Sequence, residues 1–281
     1  MAGRRQDLAQ GAGGRAGRID STFGTPFDLN LIGLRTLYLK EVRRFLKVPG
    51  QTLAAPVVTT LMFLLIFSLA LGRSGRMVGD VPFLAFLAPG LIMMAIIQNA
   101  FANTSSSILI AKIQGNIVDL LMPPLRPGEL MLGLVAGGVT RGLLVALAVS
   151  LAMLPFVALA PPHPGLILFH ALGGSLMLAL LGLLGGIWAE RFDQMAALTN
   201  FVVTPLSFLS GTFYSIAQLP EPFHAIAAIN PLFYLIDGIR FGFTGHADGS
   251  LPLGVVVVVA VDVALWLLAH RLLASGYRLK A

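Results

Sequence analysis

Charged residues divide this chain into long apolar intervals. No Asp, Glu, Lys or Arg occurs between Lys47 and Arg73, or between Asp80 and Lys112, and from Glu129 to Glu190 Arg141 is the sole one. A helix needs about 20 apolar residues to cross about 30 Å of hydrocarbon. The first two intervals therefore predict spans near 52–71 and 83–110, the second bent at Pro89. The third is too long for one crossing, and the stretch Pro155–Gly165, with four prolines, divides it into spans near 130–153 and 166–188. A fifth span is expected from Gln194 to Tyr214 and a sixth from Pro252 to Leu272. Ahead of them, from Asp28 to Lys47, Leu31, Leu34, Tyr38, Val42 and Phe45 recur at steps of three and four, with Lys40, Arg43, Arg44 and Lys47 on other faces. That is the pattern of an amphipathic helix lying along a membrane surface. Between spans five and six, Ser215 to Asp237 carries Pro220, Pro222 and Pro231. It is too interrupted to cross as a regular helix and is expected to dip in and return.

Composition supports the same class. Hydrophobic residues make up 56% of the 281 and charged ones 11%, less than half the usual share in a soluble domain, about 25%. Such a surface is tolerable where the solvent is lipid. The expectation is an all-α integral membrane protein with six spans, an N-terminal interfacial helix and a re-entrant segment. Residues 1–26, rich in Gly, Arg and Ala without an apolar block, are expected to form a disordered tail, 27–275 the membrane domain and 276–281 a short C-terminal tail. Nine of the 19 Lys and Arg precede Val48, which fits a membrane-facing flank better than a nucleic-acid groove, so no nucleic-acid partner is expected. With the N-terminus inside, fifteen cations lie on inside segments and three (Arg73, Arg76, Arg240) outside. Both termini are thereby predicted to be cytoplasmic.

That orientation puts the segment 112–130 inside. There Ile113, Ile117, Leu120 and Leu121 fall at i, i+4, i+7 and i+8, beside Asp119, before Pro123 and Pro124 stop the helix. The stripe either presses on a partner or packs back onto the chain's own spans. Within the spans, Asn99, Asn103, Ser106 and Ser107 share a face of span two, and Asn200, Thr204 and Ser207 recur along span five. In hydrocarbon such groups serve as interhelical glue or line a wet path. Arg141 and Asp262 both fall about 15–17 Å deep at 1.5 Å per residue and are expected to meet as an intramembrane ion pair. The sequence has no cysteine and no Gly-x-x-x-x-Gly-Lys-Ser/Thr loop, and its five histidines lack the His-Glu-x-x-His spacing of a zinc site. No catalytic set, metal site or bound cofactor is expected.

The segment Thr204–Arg240 carries a resemblance. Its Ser-Gly-aromatic run, Leu219-Pro220, and Asn230-Pro231-Leu232 followed by Tyr234, Asp237 and Arg240 are similar to the signature of type-2 ABC exporter permeases, with residues 28–275 consistent with that family. It resembles especially the bacterial permeases for drugs, lipid-linked oligosaccharides and uncharacterised cargo. The resemblance implies a homodimer in the bacterial inner membrane with two copies of a separate cytoplasmic ATPase that binds ATP and magnesium. It further implies export of an amphiphilic or lipid-linked cargo by alternating access. Residues 112–124 match the position of the main coupling helix, Glu190 and Arg191 are a candidate second contact, and residues 28–47, with Leu34, Tyr38, Arg43 and Arg44, match the helix leading into span one. Spans two and five are implied to face the pathway, with 215–237 capping its outer end. The rival expectation is a secondary transporter or channel that works without ATP, which internal inverted repeats would favour; no convincing repeat relates 50–153 to 166–272.

Overall fold

The computed structural model describes residues 30–71, 77–159 and 161–278; the expected tail 1–26 and the outer cations Arg73 and Arg76 lie outside them. Helix α1 (Leu31–Leu46) passes through a π turn (Gly50–Ala54) into α2 (Ala55–Leu71), and a two-residue hairpin, β1 (Met77–Val78) with β2 (Val81–Pro82), leads into α3 (Phe83–Ile113). Then follow the one-turn α4 (Ile117–Leu121), α5 (Pro127–Met153) and α6 (Pro164–Trp188). Next come α7 (Phe192–Leu198), a π segment (Thr199–Val203) and α8 (Thr204–Leu209) in one helical run, then α9 (Glu221–Ile229), α10 (Pro231–Thr244) and α11 (Leu251–Ser275).

Helix boundaries follow end chemistry. Proline occupies the first or second position of α5, α6, α9, α10 and α11, where its missing N–H costs nothing, and Gly245 and Gly276 stop α10 and α11 at positive φ of 72° and 67°. Among the described residues, five helices are long and apolar enough to cross a membrane: Gly50–Ala70, Phe83–Ile113, Pro127–Met153, Pro164–Trp188 and Leu251–Ser275. Four of the six expected spans, 52–71, 83–110, 130–153 and 166–188, and the last, 252–272, coincide with them to within a few residues. The remaining one, expected over 194–214, is shorter: the helical run stops at Leu209, and Gly211 turns the chain with φ 77°.

The core is α3 clasped by α5 and α6, with α2 and α11 on the periphery. Helices approach this closely without a hydrophobic drive only where side chains are small. Gly182 and Gly186, one turn apart on α6, meet the backbone of α3: a Cβ at Gly182 would collide with Thr104 Oγ1 and the Phe101 carbonyl, and one at Gly186 would sit 3.0 Å from the Ser105 carbonyl. The Thr104 hydroxyl donates to the Ala179 carbonyl at 2.7 Å across the same contact. Gly182→Ala is therefore expected to cost about 1–3 kcal/mol by overpacking, while Gly165→Ala, with nothing within 4 Å, stays neutral. Melting temperatures of the two purified variants check this.

Contacts at helix ends fix the path. Lys112, near the end of α3, donates to carbonyls at the end of α6, and Arg278 beyond α11 reaches the Trp188 carbonyl. At the other end, Arg240 joins the carbonyls of Phe86 and Gly211, and His163 N–H donates to the Gly242 carbonyl. The run Phe192–Leu209 thus links the two ends of the bundle. The pair α9–α10, bent by 87°, does not: Ser215 before it and Asp248 after it are hydrogen-bonded at 2.8 Å, so it enters and leaves at the same end. Within that pair α10 lies antiparallel to α6, with Leu235 beside Gly174, Gly238 against His170 and Gly242 against Ile167.

Candidate functional site

At the end of the bundle where α3 and α6 finish, Gly115 turns the chain at φ 72° into α4. The expected apolar stripe divides. Ile117 and Leu120 are buried in the chain's own core, whereas Ile113 and Leu121 point outward together with Val118 and Met122, the last 75% exposed; Asp119 is exposed beside them. The reason is local: a one-turn helix hinged at Gly115 sets the 117/120 edge against the bundle and leaves the 118/121/122 edge free. Lys112 Nζ donates to the carbonyls of Ile187 at 2.8 Å and Ala189 at 2.6 Å, satisfying orphan acceptors at the α6 C-terminus. That contact holds the exposed Glu190 and Arg191 on the side of α4, with Arg278 Nη1 3.8 Å from Glu190.

Helix α1 runs alongside the first half of α5. Leu37 lies against Gly133 and Glu41 against Gly137, where a Cβ would come within 2.6 Å in each case, so partners advance by four residues on both helices. Its buried stripe is Leu37–Glu41–Phe45: of the expected set Phe45 is buried, Leu34, Tyr38 and Val42 are half-buried and Leu31 is exposed, with Tyr38 Oη bonding Thr140 Oγ1 at 3.0 Å. Arg43 is exposed, but Arg44, expected on a polar face, turns inward. Its guanidinium donates to Glu41 at 3.0 Å, to Ser106 Oγ at 3.0 Å and to the Asn103 carbonyl at 2.7 Å, while Ser107 Oγ donates to Glu41 at 2.8 Å. Glu41 is 1% exposed, and such a carboxylate persists only when paired. Arg44→Met is expected to destabilise the protein by about 3 kcal/mol, with Glu41→Leu added recovering most of it, as thermal unfolding of the single and double variants will show.

This cluster reassigns part of the expected pathway. Asn103 and Ser107 are taken up by α1, and Ser207 is buried and donates to the Val203 carbonyl at 2.7 Å. The other four line cavities between α2, α3 and the 192–204 run: Asn99 and Thr204 one of about 390 Å³, Ser106 and Asn200 one of about 450 Å³. Gln98 borders both, with Thr199. The open face of α3 is thus the 98–102–105 row, one position from the 99–103 row the sequence singles out. Marking Gln98 with Ser105 at i+7 would have found it.

At the opposite end the segment 204–240 folds into a polar knot. Asn230 caps α10, accepting from Leu232 N–H at 3.1 Å, and donates to the Leu206 carbonyl at 2.9 Å and Ser210 Oγ at 2.7 Å. Pro220 and Pro231 head α9 and α10, Leu219 packs with Ile216, Ala227 and Phe233, and Tyr234 Oη donates to the Ala228 carbonyl at 2.9 Å. Asp237 accepts the backbone N–H groups of Asp248 at 2.8 Å and Gly249 at 3.0 Å. Arg240, fully buried, donates to the carbonyls of Phe86 at 3.2 Å and Gly211 at 2.6 Å and lies 3.8 Å over the Phe86 ring. Asp248, not anticipated from sequence, ties Ser215 Oγ, Ile216 N–H and His246 together. Its place in the knot comes from a loop whose sequence, Gly-His-Ala-Asp-Gly, signals only a turn.

The expected Arg141–Asp262 pair does not form. Arg141 donates to Asn99 Oδ1 at 3.0 Å, towards α3, whereas Asp262 lies against Gly173 on α6. Similar depth along two helices says nothing of the faces on which two residues sit, and α5 turns Arg141 away from α11.

The profile of the ABC-2 type transporter family covers residues 33–244, from α1 through the polar knot. The chain belongs to the ABC-2 type transporter family. This permease is 37% identical over 251 residues to the inner membrane transport permease YadH of Escherichia coli (strain K12), covering 89% of this chain and 98% of that one. It is 32% identical over 224 residues to Nodulation protein J of Rhizobium leguminosarum bv. viciae, 74% of this chain and 83% of that one, and 27% identical over 238 residues to Nodulation protein J of Sinorhizobium fredii (strain NBRC 101917 / NGR234). With its apolar helices, the ABC-2 permease is a multi-pass inner membrane protein and a transport subunit.

Proposed function

We propose that this permease is the membrane subunit of an ATP-driven exporter. Two copies pair with two copies of a cytoplasmic ATPase, and ATP and magnesium are held by that partner. The observation that carries the reading is the exposed apolar edge of α4, Val118, Leu121 and Met122, beside Glu190 and Arg191: an apolar knob following the end of α3, which Lys112 ties to the end of α6, is what a groove on a moving partner would grip. In this reading the chain crosses six times, with Phe192–Leu209 as the short fifth span, and both termini are cytoplasmic. Helix α1 enters from the interface, and α9–α10 is a re-entrant lid at the outer end. The cargo is amphiphilic or lipid-linked and passes along the α2, α3 and 192–204 faces, where amides and hydroxyls stand among apolar side chains.

The test is reconstitution. Proteoliposomes containing the permease with its ATPase should move a lipid-linked or amphiphilic solute on addition of ATP, whereas those with the permease alone should not. ATP-driven movement by the permease alone would overturn the proposal.

A further inference from the structure

On the face away from those cavities, α1, α5, α6 and α11 line an open crevice of about 1060 Å³. Its walls are apolar, Leu172, Leu176, Val259 and Trp266 among them. Three charged or titratable groups face it. Tyr38 is bonded to Thr140, and Arg35 is exposed on α1 near the start of α5. Asp262 is 8% exposed, lines the crevice wall, and among the described residues neither of its oxygens accepts a hydrogen bond; Oδ1 is buried without a partner. Arg35 makes no ion pair with Asp262, and the cation expected from sequence to meet it, Arg141, is bonded to Asn99.

A carboxyl among hydrocarbon walls is costly unless something satisfies it. Acyl chains of the surrounding lipid fill such a crevice but bring no donor to this depth. We propose that the crevice is a binding site for a cationic amphiphile drawn from the bilayer, its ammonium group meeting Asp262 and its alkyl chain lying along Leu172, Val259 and Trp266. Among the described residues Asp262 is the one anionic group that faces the crevice, so the ammonium meets an opposite charge there, and an open crevice among these helices admits a ligand from the bilayer. Gly173 lets α6 come close to α11 beside the carboxyl: a Cβ there would press on Val258 and stand 3.6 Å from Asp262 Oδ2. The site is independent of the ATPase and of the direction of transport.

The test uses the purified permease in nanodiscs of neutral zwitterionic lipid, labelled with a dodecylamine carrying a photoreactive diazirine and mapped by peptide mass spectrometry. Labelling of α6 and α11 is expected to saturate, to be competed by dodecylamine and not by dodecanol, to fall about tenfold in Asp262→Asn, to persist in Asp262→Glu, and to vanish in Val259→Trp, which fills the crevice. Melting temperatures identify variants that fail to fold, and Val259→Trp decides alone if Asp262→Asn is one of them. Equal labelling by the alcohol analogue, or wild-type labelling of a folded Asp262→Asn, would mean that the crevice holds acyl chains only, and labelling that survives Val259→Trp would place the probe outside the crevice; any of these would overturn the proposal.

Discussion

Replacing Val118 and Leu121 together by aspartate is expected to abolish transport while leaving the permease inserted and folded. Both side chains project from α4, 53% and 38% exposed, so the change removes nothing from the core. Inside a partner's apolar groove each new carboxylate would be desolvated without a counter-charge, costing several kcal/mol apiece, enough to weaken association by orders of magnitude. Leu120→Asp, one position away, should behave differently. Leu120 is 5% exposed and packs into the core, so its replacement lowers stability whether or not a partner is present. Transport by the Val118→Asp, Leu121→Asp permease at the wild-type rate, with unchanged amounts in the membrane, would remove α4 from the drive train.

The second large effect is expected at Arg240. Its guanidinium is the shared anchor of α3, the turn at Gly211 and α10, through two carbonyls and the Phe86 ring. Asp248 Oδ2 stands 4.0 Å from Nη1, a looser contact than either carbonyl. Arg240→Leu leaves those carbonyls and the Asp237 and Asp248 carboxylates inside without their cation, and should cost about 3–5 kcal/mol, the range for breaking a buried charged pair. Arg240→Lys restores the charge but not the planar fork that reaches Phe86 and Gly211 at once, so it should recover only part of the loss. Thermal unfolding of the detergent-purified variants gives both values; a melting temperature unchanged in Arg240→Leu would show that the knot does not hold that end of the bundle together.

Linear features of the chain were legible. Charge-free intervals place the long helices, and proline at helix starts with glycine at two helix ends sets their limits, because these residues act on their own backbone. The run Phe192–Leu209 is the exception, and its cause is non-local: Gly211 ends it in a turn whose carbonyl is held by Arg240, 29 residues on. What the sequence does not carry is the direction in which each helix faces. Hydrophobic periodicity separates apolar from polar sides in water, but within a bundle both protein and lipid are apolar, so the signal fades. Glu41 therefore looks like part of a wetted face, yet is buried against Gly137 and Ser107; Asn103 looks like pathway, yet binds Arg44; Arg141 and Asp262 match in depth and differ in heading. The signature residues from Asn230 to Arg240 were recognisable by resemblance, whereas Asp248 and His246, which complete the knot, are common turn residues.

The central claim is that force reaches this permease from another polypeptide through the outward edge of α4. A photoreactive amino acid at position 121, activated in living cells, tests it most directly, with the same probe at buried position 120 as control. The account predicts a cross-link from 121, and not from 120, to a nucleotide-hydrolysing protein on the cytoplasmic side. Cross-links from 121 to lipid alone, or to a protein on the outer side of the membrane, would contradict it.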